Sequence, residues 1–426
     1  LFFNEEKWLD ALFQYQQAVW LDSLNIDTHI GSAISLFYLE EFEDAINEFK
    51  IVLKIDPYQH EAFYYQGLSF IALENYPSAI HSFTQSLLLD PNNSDIYYHL
   101  GKAYFISGKM IQAREAFTRT INLNPQHGYA YYYQGIINEN IMEIDDAIIA
   151  YNKAQEFSPD IEDLYYHLGM LLFRTGELRM AMEPLRQFII FQPDSLNVLE
   201  ALGQIFLEEN RYSEAIDTYR RLKMLYPEDL EINLNLAESY WQLKEFNDAK
   251  EIYEKILMFD DENYNVMLRL GEIYNSLGNY SKSETIYNEV INCTTPTVAV
   301  FYQLALTFGN QGKNFQAVIA FHEALKLAPT DIEIKYQLGV AHKELKNYSQ
   351  AAQYFEDYIF QNLEDAIAFF LLGTCYFEMD DYPAALLAFQ KSNIIAPNDS
   401  KILYNIGRCY SGLKEEEEAA RKFREA

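Results

Sequence analysis

The sequence is poor in cysteine, glycine, proline and positive charge, and each shortage removes a class of protein. Three cysteines, Cys293, Cys375 and Cys409, give no disulfide framework and no zinc-ligand spacing. Only 17 glycines and 12 prolines punctuate the 426 residues, which suits long helices or buried strands. Lys and Arg number 32 against 63 Asp and Glu, a formal charge of −31. A surface this negative repels phosphate backbones, so nucleic acid is excluded as a partner, and basic or apolar protein segments are favoured. No run of about 20 apolar residues is present, so no membrane insertion is expected. There is no signal-peptide pattern, which places the expectation in the cytoplasm. The chain opens at Leu1 rather than Met and stops mid-pattern at Ala426. Both ends are therefore expected to be trimmed, with room for a targeting or catalytic segment outside. Neither a Gly-rich phosphate loop nor a nucleophile elbow occurs, so no cofactor and no catalytic residue is expected.

What the chain does have is hydrophobic mass and a period. Hydrophobic residues make up 49 %, and Tyr (34) and Phe (29) are abundant, enough to build a large core. Alanine followed four residues later by an aromatic recurs at Ala11/Tyr15, Ala45/Phe49, Ala79/Phe83, Ala113/Phe117 and Ala147/Tyr151. It returns at Ala215/Tyr219, Ala249/Tyr253, Ala317/Phe321, Ala351/Phe355, Ala385/Phe389 and Ala419/Phe423. The step is 34 residues, or 68 across the altered pairs Ala181/Leu185 and Ser283/Tyr287. A second series at the same step, from Ala33 and Gly67 to Gly407, holds only Gly or Ala, and a third is mostly proline, as at Pro57, Pro91 and Pro125.

Each unit then reads as two helices. The first, helix A, carries the Gly/Ala series, where close approach leaves no room for a larger side chain. The second, helix B, carries Ala and, one turn later, an aromatic on the same face. Proline marks where helix B must stop. Numbering each unit so that Gly67 is slot 8, Ala79 slot 20, Phe83 slot 24 and Pro91 slot 32, the chain resembles the tetratricopeptide repeat (TPR) family over essentially its whole length. The resemblance implies an all-α fold, a right-handed α-α superhelix of about 12.5 helix-turn-helix repeats whose A helices line a concave groove. The expected segmentation is a partial repeat at 1–25, mainly helix B, repeats two to six at 26–193, seven to nine at 194–295, ten to twelve at 296–399, and a partial terminal repeat at 400–426. Two breaks in the rhythm support it. Pro184 falls inside a B helix, where it costs roughly 3 kcal/mol, and "NCTTPT" at 292–297 shifts the exit proline to Pro296. The stack is expected to behave as three stiff blocks, 1–193, 194–295 and 296–426.

The resemblance also implies that ligands meet helix A at slots 2, 5, 6, 9, 12 and 13. In repeats three to six those slots hold Tyr64, Tyr65, Tyr98, His99, Lys102, Phe105, Tyr132, Tyr133, Tyr166, His167 and Phe173. Repeats seven to nine turn acidic, with Glu200, Glu238 and Trp241, and the later repeats return to aromatics at Tyr302, Tyr336, Phe370, Phe377 and Tyr404. Two apolar-aromatic grooves flanking an acidic saddle are expected, suited to an amphipathic or extended segment with basic residues. The competing reading is that slot 5 tyrosines merely pack between helices. The family's carboxylate clamp, which needs Lys at slot 5 and Asn at slot 9, is absent. His99 and His167 lie two repeats apart, too far to share a metal. Cys375 and Cys409 share slot 10 in adjacent repeats, about 10 Å apart, and read as alanine substitutes. The function expected is a non-catalytic protein-protein interaction scaffold or adaptor. Alternatives are the substrate-recruiting arm of a larger enzyme and a chaperone for secretion or assembly subunits.

Overall fold

The computed structural model describes residues 2–426, with side chains from residue 7 onward. Among the described residues there are 25 helices and no strand. The fold is the all-α repeat solenoid expected. The chain divides into two compact units, Leu1–Glu209 and Asn210–Ala426.

In the first unit a leading helix, α1 (Phe2–Leu21), precedes alternating A and B helices: α2 (Ile26–Tyr38), α3 (Phe42–Ile55), α4 (His60–Ala72), α5 (Tyr76–Leu89), α6 (Ser94–Ile106), α7 (Met110–Leu123), α8 (Gly128–Asn140), α9 (Ile144–Phe157), α10 (Glu162–Arg174), α11 (Leu178–Phe191) and α12 (Leu196–Glu208). The second unit continues the alternation through α13 (Tyr212–Leu225), α14 (Leu230–Gln242), α15 (Phe246–Phe259), α16 (Tyr264–Ser276), α17 (Tyr280–Cys293), α18 (Val298–Asn310) and α19 (Asn314–Leu327). It ends with α20 (Ile332–Glu344), α21 (Tyr348–Gln361), α22 (Ala366–Glu378), α23 (Tyr382–Ile395), α24 (Ser400–Gly412) and α25 (Glu416–Glu425).

Two local devices set these lengths. Asn or Asp caps many A helices, as Asn93 does by accepting from the backbone N–H of Ile96 and Asp331 from that of Ile334. Every A-to-B turn passes through one left-handed residue. Glu74 is an example (φ 54°), with the Asn75 N–H reaching back to the Phe70 carbonyl at 2.8 Å. Glycine takes that position only at Gly108, Gly176, Gly278 and Gly312. Elsewhere it falls to Glu40, Met142, Lys244 and others, so the cost of the left-handed backbone is offset by packing on either side.

Core formation explains the three series. The slot 20 alanines from Ala45 to Ala419 are buried, as are the rings of Phe49, Phe83, Phe117, Tyr151, Phe355 and Phe389. The small residue at slot 8 makes room for that ring in its own hairpin. A Cβ on Gly67 would lie 2.6 Å from Phe83 Cε1, and one on Gly373 would lie 2.8 Å from Phe389 Cδ1. The altered repeats compensate locally. Ser283, standing where Ala is usual, donates to the Gly271 carbonyl and lies 3.1 Å from the Thr307 hydroxyl. That pair ties α17 to α18 across the 294–297 link, where Tyr287, Val290, Val300 and Leu304 share one core cluster. In the other break, α11 runs on through buried Pro184 to Phe191. Leu185 fills the ring's place against Gly169, and Phe188 supplies the missing aromatic.

Candidate functional site

The aromatic candidates of repeats three to six lie on α4, α6, α8 and α10, and the structure joins all of them but Phe173 into one ladder of rings. Tyr64 packs on core ring Phe83 (6.2 Å between centroids), Tyr98 on Phe117 (6.2 Å) and Tyr132 on Tyr151 (6.4 Å). Tyr166 packs on Phe188 at 5.3 Å, the substitute provided by the altered repeat. The slot 6 rings stack flat against the core ring of the preceding repeat: Tyr65 on Phe49, His99 on Phe83, Tyr133 on Phe117 and His167 on Tyr151. Phe105 edges onto Tyr133, and Lys102 places its ammonium 5.8 Å from the Tyr98 ring. Trp8 stacks on Tyr38, which meets Tyr65 and extends the ladder onto residues not anticipated from the sequence.

Packing therefore accounts for the rings of these tyrosines. The ring bodies are half-buried, or buried for Tyr132, yet among the described residues no side-chain hydrogen bond is made by the hydroxyls of Tyr64, Tyr98, Tyr132 or Tyr166. Burial, helped by the Asp95 charge, pushes the Tyr64 phenol up to about 12, and burial raises Tyr98 and Tyr132 as well. All three keep their protons at neutral pH and remain donors. His99 is pulled down to about 4, first by burial and then by the Lys102 charge, so it serves as a neutral ring.

In the second unit Tyr302 packs on Phe321, Tyr336 on Phe355, Phe370 on Phe389 and Tyr404 on Phe423. Tyr404 is exposed, and with Phe370, Asn405 and Phe423 it lines an open cleft. Two aromatics there are already covered by cations: Arg269 lies 4.2 Å from the Trp241 ring and Arg408 4.1 Å from the Phe377 ring. Arg269 also sits between Glu238 (3.4 Å) and Glu272 (3.2 Å), so Glu238 of the expected acidic saddle and its neighbour Glu272 are compensated. Glu200, in the first unit, is exposed. Phe173 is half-buried on α10.

Profiles described as tetratricopeptide repeat match residues 31–79, 166–229, 302–359 and 336–400, with others at 206–262, 94–127 and 264–292, and a TPR repeat profile matches 67–108. The chain belongs to the tetratricopeptide repeat family. Among curated proteins no significant sequence match is found. Similar solved structures include YrrB, described as a TPR protein with an unusual peptide-binding site. It is 24 % identical over 44 % of this chain and 96 % of its own, with a TM-score of 0.40. MamA 41-end from Desulfovibrio magneticus RS-1 is 21 % identical over 38 % of this chain and 92 % of its own, TM-score 0.37. Naa15/Naa10 bound to HypK-THB is 14 % identical over 99 % of this chain and 73 % of that one, TM-score 0.36. Membership brings a protein-interaction scaffold. Among the described residues no helix is long and apolar enough to cross a membrane.

One polar cluster on the TPR face was not legible in advance. Glu139, on α8, accepts from the Tyr151 hydroxyl at 2.7 Å and from Arg174, and lies 3.4 Å from His167 Nδ1. Burial alone would raise its pKa, but the hydrogen bonds from His167, Tyr151 and Arg174 prevail and hold it at about 2. A carboxylate depressed in the folded state stabilises fully above its unfolded pKa of about 4.5, and that contribution fades as pH falls toward 2. Glu139→Gln should therefore destabilise the protein at pH 7, and its deficit against the wild type should shrink when urea denaturation is repeated at pH 3. A deficit independent of pH would mean that the carboxylate charge is not what the cluster uses.

Proposed function

We propose that this TPR protein is a non-catalytic scaffold or adaptor, and that partner segments dock on the ring ladder of α4, α6, α8 and α10. The observation that carries this reading is the division of labour within each slot 5 tyrosine. Its ring is anchored on a core aromatic, which removes most of its rotamer freedom before any partner arrives. Its hydroxyl is left without a partner, as suits a recognition donor on an amphipathic ring. The aromatic cleft at Phe370, Tyr404 and Phe423 is a second candidate surface, on the other unit.

The test is a pull-down with the intact chain and with a Tyr98→Ala, Tyr132→Ala, Tyr166→Ala variant shown by circular dichroism to keep its helices. The variant is expected to lose the bound proteins, with each lost hot-spot ring weakening binding by about 1–2 kcal/mol. Recovery of the same partners by both proteins would rule out this face.

A further inference from the structure

Slots 7 and 23 face the core, and several repeats fill them with leucine and alanine: Leu100 with Ala116, Leu304 with Ala320, Leu372 with Ala388. Repeat three instead carries Gln66 on α4 and Ser82 on α5, both more than nine-tenths buried. The Ser82 hydroxyl donates to Gln66 Oε1 at 3.0 Å. That bond uses the amide oxygen and leaves Gln66 Nε2 without a partner among the described residues. Gln134, at the same slot two repeats on, spends its Nε2 on the Thr118 hydroxyl. A buried polar pair costs more than the leucine and alanine it replaces unless its groups are used. Gln66 has somewhere to use its donor, because it lines an open cleft of about 580 Å³ between α3 and the α4/α5 hairpin.

The other walls of this cleft suit negative charge. Lys50 and Lys54 stand one turn apart on α3, both exposed, and neither has an ion-pair partner among the described residues. His81 and Ser78 line the cleft from α5. No Asp or Glu lines it, in a chain with 63 Asp and Glu against 32 Lys and Arg. One repeat on, the counterparts of Lys50, Lys54 and His81 are Thr84, Leu88 and Glu115, so the positive charge belongs to this place and not to the repeat pattern. Two ammoniums carry more charge than one carboxylate neutralises. A phosphate monoester brings about −1.5 to −2 at pH 7 and three acceptor oxygens. Leu53 and Phe70 add apolar wall for the carbon that carries it. We infer that this cleft binds a phosphate monoester, held by the Lys50 and Lys54 ammoniums, the His81 ring, the Ser78 hydroxyl and the Gln66 amide. The site shares no residue with the ring ladder and does not depend on docking there.

Fluorescence anisotropy with the full chain at one fixed salt concentration tests this. The probes are labelled peptides of one sequence whose central residue is phosphotyrosine, phosphoserine, tyrosine or glutamate, with unlabelled inorganic phosphate as competitor. Both phosphopeptides should bind about tenfold more tightly than the tyrosine and glutamate peptides, and inorganic phosphate should displace them. Lys50→Ala with Lys54→Ala should weaken phosphopeptide binding about tenfold or more. Gln66→Leu with Ser82→Ala installs the pair that repeat four uses at Leu100 and Ala116. It should weaken binding about tenfold at an unchanged or raised melting temperature, which separates loss of a ligand donor from loss of fold. The Tyr98→Ala, Tyr132→Ala, Tyr166→Ala variant should bind the phosphopeptides as the wild type does. Inorganic phosphate that matches the phosphopeptides in affinity keeps the site and makes the free ion its ligand. Tyrosine or glutamate peptides that bind as tightly as the phosphopeptides overturn the inference. Undiminished binding by the lysine variant or by the Gln66 and Ser82 variant overturns it, and so does failure of every phosphate probe to bind.

Discussion

Gly135→Leu should lower the melting temperature by about 10 °C. A Cβ at residue 135 would lie 2.5 Å from both Cδ1 and Cε1 of Tyr151, far inside contact distance. The ring has nowhere to retreat: it is fully buried, it stacks on His167 at 6.0 Å, and its hydroxyl is held by Glu139. Overpacking of this kind costs about 1–3 kcal/mol, and release of the Tyr151 hydroxyl from its half-buried acceptor Glu139 adds about 1. For a cooperative unit of this size each kcal/mol corresponds to roughly 2–4 °C. Differential scanning calorimetry of the intact chain measures the shift. Gly135→Ala should fall between the wild type and the leucine variant. An unchanged transition in Gly135→Leu would mean that α8 and α9 do not approach as described.

Phe117→Ala should cost about 3–5 kcal/mol, the range for truncating a fully buried aromatic. Its consequences extend to the proposed docking face. Phe117 supports Tyr98 at 6.2 Å and lies flat under Tyr133 at 5.1 Å, so both ladder rings lose their seat together. Partner capture should therefore fall even where the helices persist, and urea denaturation followed by pull-down reads the two effects separately. Phe117→Leu is the informative control. Repeat six carries Leu185 at the same slot, but there Phe188 supports Tyr166. Position 120, the counterpart of Phe188, is Thr120, which has no ring to offer. Phe117→Leu should thus recover most of the stability and little of the binding. Full recovery of binding would show that core rings do not orient the ladder.

Much of the fold was written in local pattern. Alanine with an aromatic one turn on, a small residue at slot 8 and proline after helix B are demands of close packing that any one repeat must meet, so each is repeated and each can be read. The A-to-B turns were less legible, because Glu40, Met142 and Lys244 adopt left-handed backbone without announcing it. The candidate residues all fall on A helices. Whether their rings would be buried or presented was open, because a tyrosine can do both. Compensations were invisible: Ser283 looked like a lost alanine until Thr307 was found beside it, and no pattern announced that Phe188 would seat Tyr166.

The amino-acid order alone determined the period, the helix pairing and the family, since these follow from short-range spacing and composition. Only the folded chain decided which polar tips stay free, that Glu139 gathers Tyr151, His167 and Arg174, and that Arg269 compensates Glu238 and Glu272. The contacts of Glu139 with His167 and Arg174, and of Arg269 with Glu238, join neighbouring repeats. Their partners are chosen by how hairpins stack, which no single repeat contains.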